Sequence, residues 1–390
     1  MNKILNRITT LLFLVLLFGF SLLFLILPDQ SFSAEENRSL RTFPRFSWES
    51  LASGRFSEEI NDYFADQFPW RDAFVGVKGI SELCLGKGEN DGILLGKDGQ
   101  LAQRRFDVLL ESGETLDEQD VFDPAAVQAA MQGLDRAAQN MSVPFHVLLT
   151  GRAIDVTASS FAYPASFSVA LRECVQTSMP DSVTPIETIP ILQKMHDMGE
   201  SVYYRTDHHW TTNGAYVAYV ETMRSFGMED EILPRESFER VTVSTDFYGT
   251  AWSAGGMKFV APDQVEFWLV GNEDEFVVTA DGKEIDGLYN RDYLNKKDKY
   301  SAFLDGTHDV VTVTKPGEER STLLLLKDSF ANALAPFLAQ HFDLVLLNLS
   351  SARADYTDLS HCADVYGADR VLLIYTLENV ITADRLQRLH

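Results

Sequence analysis

The chain has 390 residues, is 45% hydrophobic, and carries 33 Lys plus Arg against 57 Asp plus Glu, a net charge of -24. Its length and apolar share suit one large or two ordinary globular domains. The acidity excludes a nucleic-acid binder, which needs clustered cations to release counterions from phosphates, and argues against docking on anionic lipid through a basic patch.

The first element is the plainest. Ile8 to Leu27, ITTLLFLVLLFGFSLLFLIL, runs 20 residues without a charge, and at ~1.5 Å per residue crosses a ~30 Å hydrocarbon core. Lys3 and Arg7 precede it and the acidic PDQSFSAEEN follows. The positive-inside rule then places the N-terminus in the cytoplasm and everything after Pro28 outside. A cleaved signal peptide is the alternative, with Ser31 and Ser33 supplying small residues for cleavage, although its apolar region is usually only ~7–15 residues. Both readings export the remainder, to the outer face of the cytoplasmic membrane or beyond it. The expected organisation is a signal-anchor helix at 1–28, a polar stalk and entry segment at 29–60, and one domain at 61–390.

In the stalk no apolar period appears until about Trp48. FSEEINDYFADQFPWRDAFVGVKGISELCLG then spaces Phe and Ile at helical intervals, broken at Pro69. NDGILLGKDGQL sets Asx-Gly punctuation around a short apolar run and predicts a hairpin. Asp123 and Pro124 predict the N-cap and first position of a helix over DPAAVQAAMQGLDRAAQNM, and VPFHVLLTG predicts a buried strand. The strand–turn–helix rhythm recurs, with SVYYRT before TTNGAYVAYVETMRSFG and STLLLLKDS before FANALAPFLAQHF, followed by DLVLLNLS and ADRVLLIYT. Such alternation predicts a parallel sheet covered on both faces. Residues 235–320 differ: FERVTVSTDFYG, DQVEFWLV, EFVVTADGKEI and HDVVTVTK predict successive strands, a β-rich insertion into an α/β frame.

Two constellations carry chemistry. Asp207-His208-His209-Trp210 lies between a predicted strand and a helix. Alternation along an extended segment would put Asp207 and His209 on one side and His208 on the other. An Asp beside a His orients the imidazole and stabilises its protonated form; a capping Asp with two partly buried His is the plainer alternative. Asp328-Ser329 follows the strand STLLLLK and opens a helix, at the sheet edge where α/β proteins gather ligands. A Ser there exposes its hydroxyl, and its N–H faces developing negative charge; it also suits a plain N-cap. Acid, imidazole and hydroxyl together are the set for nucleophilic acyl transfer, in any chain order. A metal centre is disfavoured, because adjacent His208 and His209 with Asp207 make an awkward ligand set and there is no HExxH. Cys84, Cys174 and Cys362 are dispersed and form neither a zinc motif nor a disulfide framework.

The tetrad resembles the signature of the DHHW protein family, which is similar to the SGNH-hydrolase-like domains of alginate O-acetyltransferases. Four blocks agree in order: SAEENRSLRTFPRFSWESLASGRFSEEINDYFADQFPWRD, NDGILLGKDGQL, FYGTAW and LLLLKDSFAN. The resemblance spans roughly residues 34–376. It implies a three-layer α/β/α core in a circularly permuted order, with Asp-x-His ahead of the Ser, whereas ordinary SGNH hydrolases place the GDS serine first and DxxH last. Carried over by position, it implies Asp207 as orienting acid, His209 as general base and Ser329 as nucleophile. His208 fills the variable position and packs or lines the site, while Trp210 packs under the helix. Lys327 stands where GDS has Gly, and no match is found for the Gly and Asn that complete the SGNH oxyanion hole. Asn332 and Arg353 are candidate polar neighbours of Ser329, and Tyr248, beside Gly249, and Arg152 are candidates for lining the cleft.

The resemblance therefore implies an exported, membrane-anchored O-acyltransferase that acetylates envelope polysaccharide, supplied with acyl groups by a membrane-bound O-acyltransferase partner. It calls for no cofactor and no metal. An esterase with the same triad and a non-catalytic envelope binding or scaffold protein are the two alternatives.

Overall fold

The computed structural model describes residues 2–33, 38–104, 122–162, 166–349, 356–382 and 385–390. They form two compact units, Met1–Asn90 with Ser253–Phe259, and Asp91–Trp252 with Val260–His390.

In the first unit α1 (Asn2–Ile26) is one helix long and apolar enough to cross a membrane. The helical spacing beyond Trp48 becomes α2 (Arg55–Asp66) and α3 (Arg71–Cys84), separated at Pro69 as its missing N–H requires. Trp70 turns the chain between them in the left-handed region, at φ 56°.

The second unit is a mixed α/β fold. It begins with the expected hairpin, β1 (Ile93–Leu95) against β2 (Leu101–Gln103). In α4 (Pro124–Asn140), Asp123 caps the Ala125 N–H and Pro124 takes the first position. Among the described residues the main sheet has eight strands. Five are parallel neighbours: β11 (Asp343–Asn348), β10 (Thr322–Lys327), β12 (Arg370–Thr376), β3 (Phe145–Thr150) and β4 (Thr184–Ile186). The 235–320 region supplies five strands. The first two, β5 (Glu239–Phe247) and β6 (Asp263–Leu269), pair only with each other. The other three, β7 (Val277–Ala280), β8 (Lys283–Ile285) and β9 (Val310–Thr314), extend the main sheet antiparallel beyond β11.

The apolar run of β10 explains its central place. Successive side chains face opposite sides: Leu323 and Leu325 join the core with α5 (Thr212–Ser225) and α6 (Ala331–Leu338), while Leu324 and Leu326 join the core with α4 and α7 (Leu359–Tyr366). All four leucines are fully buried, each burial contributing about 1.5–3 kcal/mol. The end of β10 is thus held from both faces.

One expected strand is absent. SVYYRT does not join the sheet; it makes a single bridge between Tyr203 and Trp210. The chain folds back on itself instead, with Tyr204 N–H donating to the His209 carbonyl (3.1 Å) and Thr211 N–H to that of Val202 (3.0 Å). Val202, Tyr203 and Tyr204 are all buried, so the apolar run records a buried loop rather than a sheet strand.

Candidate functional site

The site forms where β10 ends. Asp328 secures the turn: its N–H donates to the Ile374 carbonyl (3.1 Å). Its carboxylate accepts from Phe330 N (3.0 Å), Thr376 N (2.7 Å) and Asn379 Nδ2 (3.0 Å). Ser329 follows, half-buried, its carbonyl accepting from Asn332 N (3.2 Å) and the Tyr300 hydroxyl (3.1 Å). Among the described residues the Ser329 N–H donates to no protein acceptor.

The tetrad loop meets this turn. Asp263 anchors it, accepting from Thr206 N (2.8 Å), Thr206 Oγ1 (2.6 Å) and Arg205 N (3.1 Å). Trp210, fully buried, donates its indole N–H to the Phe330 carbonyl at 3.1 Å, tying the loop to the residue after Ser329. Asp207 and His209 are buried beneath. His209 Nδ1 lies 2.6 Å from Asp207 Oδ1, and His209 Nε2 lies 2.7 Å from Ser329 Oγ. A carboxylate only accepts, so Nδ1 carries the proton and Nε2 is left to accept from the Ser329 hydroxyl.

Asp207 gathers four donors on two oxygens. Oδ1 takes His209 N (3.0 Å) and Nδ1; Oδ2 takes Thr250 N (2.8 Å) and Thr250 Oγ1 (3.1 Å). Burial alone would raise its carboxyl. The His208 and His209 rings, the His209 hydrogen bond and the Thr250 amide outweigh that and hold it far below the usual carboxylate range. It therefore stays ionised opposite His209. The imidazole itself is sandwiched: Tyr300 stacks on it at 3.8 Å between centroids and 10° between planes, and Phe330 leans in at 5.0 Å.

The other sequence candidates scatter. His208 is half exposed, with its ring 3.8 Å from that of His209 and Nδ1 2.7 Å from Thr250 Oγ1. Asn332 is buried and bridges inward, accepting from Lys327 Nζ (2.7 Å) and donating to the Gly306 carbonyl (2.9 Å). Lys327, in the position of the GDS glycine, is itself fully buried, and burial pushes its ammonium down to about 8 against the pull of Asp328 and Asp281. Tyr248 packs on Trp252 at 4.6 Å. Arg152 lies beyond the end of β3, its N–H donating to Asp155 (2.8 Å). Arg353 lies outside the described residues.

Sequence reasoning missed Thr250, Tyr300 and the fastening role of Asp328. Thr250 sits in FYGTAW, directly after the Gly that admits Asp207: a Cβ on Gly249 would come 2.3 Å from the Asp207 Cβ. Tyr300 lies among charged residues in KDKYSAFLDG and carries no sequence signal. Asp207, His208 and His209 also bring possible metal-ligating atoms within 4.8 Å of one another. Both His209 nitrogens and both Asp207 oxygens are already engaged by protein groups, so an ion there would have to displace Ser329 or Thr250.

Fold and site together define a mixed α/β protein whose acid, imidazole and hydroxyl converge where parallel strands end. The chain belongs to the DHHW protein family, whose model matches residues 146–348. Its fold is similar to that of a DHHW family protein from Eubacterium siraeum DSM 15702, at TM-score 0.55 and 16% identity over 76% of this chain and 97% of that one. It is also similar to Bacillus cereus PatB1, at TM-score 0.58 and 16% identity over 76% of this chain and 100% of that one. The O-acetyltransferase domain of Pseudomonas putida AlgJ overlays more loosely, at TM-score 0.46 and 13% identity over 75% of this chain and 92% of that one. Among curated proteins none matches the sequence.

Proposed function

We propose that this protein is an exported, membrane-anchored serine O-acyltransferase that acetylates cell-envelope polysaccharide. The observation that carries the reading is the continuous relay from Asp207 through His209 to Ser329, at 2.6 and 2.7 Å. In it Ser329 Oγ attacks the acyl carbonyl carbon as His209 Nε2 takes its proton. The Ser329 N–H at the start of α6 holds the oxyanion. The imidazolium, stabilised by Asp207, then protonates the leaving group, and an acyl ester remains on Ser329. A sugar hydroxyl, deprotonated by the same nitrogen, attacks that ester and frees the serine.

Several observations support this reading. The chain order, Asp207 and His209 before Ser329, is the order that the family resemblance implies. The PatB1 structure holds a sulfonyl adduct. In this reading helix α1, long and apolar enough to cross a membrane, is retained as the anchor. Acyl groups then come from a membrane-bound O-acyltransferase.

The test is covalent. The wild-type protein should take up phenylmethylsulfonyl fluoride at Ser329, located by peptide mass spectrometry, and turn over p-nitrophenyl acetate. Ser329→Ala should abolish labelling and cut turnover by more than about 10³-fold while melting normally. Acetylated oligosaccharide in the product mixture marks transfer, and free acetate alone marks hydrolysis. Folded wild-type protein that neither labels nor turns over sinks the enzyme reading and leaves the scaffold.

A further inference from the structure

Helix α1 does not stand free of the first unit. Phe20 stacks on Phe68 at 5.3 Å and meets Trp70 (6.0 Å) and Phe74 (5.7 Å) edge-on. Phe24 meets Phe64 (5.0 Å) and Tyr63 (5.8 Å). Where the chain leaves the helix, polar groups lock it to α2: Tyr63 donates to Asp29 (2.9 Å), and Gln30 and Gln67 exchange two bonds (2.9 and 2.8 Å).

These contacts fix a depth. Phe20 lies six residues before the helix end at Ile26, so it sits about 9 Å below that end. If α1 spans the bilayer, its partners Phe68, Trp70 and Phe74 sit at that depth too, inside the hydrocarbon. The polar lock at Asp29–Gln30 marks the level of the headgroups.

The exposed surface that continues from these partners is largely apolar, with Lys78 the one charge exposed between Val77 and Ile80. Phe64, Phe68, Trp70, Phe74, Val77 and Ile80 are each between 42% and 63% exposed on α2, α3 and their connection. On α3 the small residues are the buried ones: Gly76 and Gly79 pack against Lys258 and the Gly256 carbonyl, and a Cβ on either would come within 3.2 Å. The large apolar side chains are left outward, the reverse of a soluble amphipathic helix. Phe13, Leu16 and Leu17 of α1 line, with Phe43, Phe64 and Phe68, an open apolar hollow of about 1010 Å³. Residues 38–90 carry seven Lys or Arg against eight Asp or Glu, whereas the whole chain has 33 against 57, so this segment can approach an anionic surface with little repulsion.

We propose that α2 and α3 form a shelf embedded beside α1 in the outer leaflet, with lipid acyl chains covering the Phe64–Ile80 face and filling the hollow. This rests on the reading of α1 as a retained anchor. It goes further by making the first unit an integral part of the membrane rather than a tethered one. A shelf built around α1 also requires the helix to stay, since removing it would strip Phe20 and Phe24 from the aromatic cluster.

The experiment uses the full chain with Cys84→Ser, Cys174→Ser and Cys362→Ala. A single cysteine is introduced as Leu12→Cys, Val77→Cys or Lys283→Cys and labelled with an environment-sensitive nitrobenzoxadiazole. The proteins are placed in phosphatidylethanolamine–phosphatidylglycerol vesicles containing acyl-chain nitroxide lipid. Quenching is expected at 12 and 77 but not at 283, which lies exposed on β8. Quenching at 12 with a dim label at 77 that the nitroxide lipid does not affect overturns the shelf while leaving the anchor, and is the result expected were a protein partner the occupant. A dim label at 12 that the nitroxide lipid does not affect overturns the anchor and the shelf together.

Discussion

Replacing Gly249 by Ala should disable the site without unfolding the protein. A Cβ at this position would lie 2.3 Å from the Asp207 Cβ and 2.4 Å from its Oδ2. Carbon–carbon contact begins at about 3.5 Å, so Asp207 must retreat by about 1.2 Å. Gly249 cannot yield in its place, because its N–H binds Thr206 Oγ1 (3.1 Å) and the following N–H binds Asp207 itself (2.8 Å). A retreat of that size carries the 2.6 Å bond to His209 beyond hydrogen-bond range. Displacing a catalytic group by ~1 Å costs ~10²-fold in rate, about 2.7 kcal/mol in the barrier. Overpacking should cost only about 1–3 kcal/mol of stability, and Gly249 is outside the left-handed region, so Ala brings no backbone strain. The measurements are kcat/KM on p-nitrophenyl acetate, the rate of sulfonyl labelling, and thermal unfolding. Wild-type turnover by a folded Gly249→Ala protein would refute the dependence of the base on Asp207.

Three further outcomes are expected. Tyr300→Phe keeps the ring on His209 but loses the hydroxyl's bonds with the Ser329 carbonyl and the Ala333 amide, costing about 1 kcal/mol of stability or somewhat more, whereas Tyr300→Leu also loses the stack and should slow turnover more; kcat/KM and melting temperature separate the two. Trp210→Phe removes the donor to the Phe330 carbonyl, leaving a buried acceptor unmet at about 1–3 kcal/mol, and should reduce sulfonyl labelling together with stability. Burial pushes His146 and His341 down to about 4, while an unfolded imidazole titrates near 6.5. Between these values the unfolded chain binds more protons, so their stabilising effect is complete above about 6.5 and is lost as pH falls through about 4. The urea midpoint should fall less between pH 7 and pH 4.5 in a His146→Gln, His341→Gln variant than in wild type, and an equal fall would refute the assignment.

The parallel strands were legible because burial on both faces leaves an unbroken apolar run: STLLLL and ADRVLLIY became β10 and β12. The same rule misled at SVYYRT, where the apolar residues are buried in a loop folded on itself and pair with the tetrad rather than with the sheet. A short run cannot tell those environments apart, since both exclude water equally. The strands of 235–320 were legible as strands, but whether they pair among themselves or extend the sheet depends on β9 meeting β11, and partner choice over such a separation leaves no local trace. Tyr300 was hidden for the same reason: its position over His209 is set by tertiary packing.

Asp207 hydrogen-bonds the His209 ring, with His208 Nδ1 farther off at 3.6 Å from Oδ1, but not through the geometry the sequence suggested. Alternation along an extended strand would place residues 207 and 209 on one side, yet residues 205–209 are a series of bends. The pairing comes instead from an Asx-type turn, in which Asp207 Oδ1 accepts from the His209 backbone N–H at 3.0 Å. That bond curls the chain so the same oxygen also meets the His209 ring at 2.6 Å. His208, at the crest of the turn, is left half exposed with its nitrogen on Thr250. A two-residue separation thus lets one carboxylate oxygen hold both the backbone and the imidazole of its partner. The acid thereby fixes the loop and the orientation of the base in a single contact, and displacing it should disturb both.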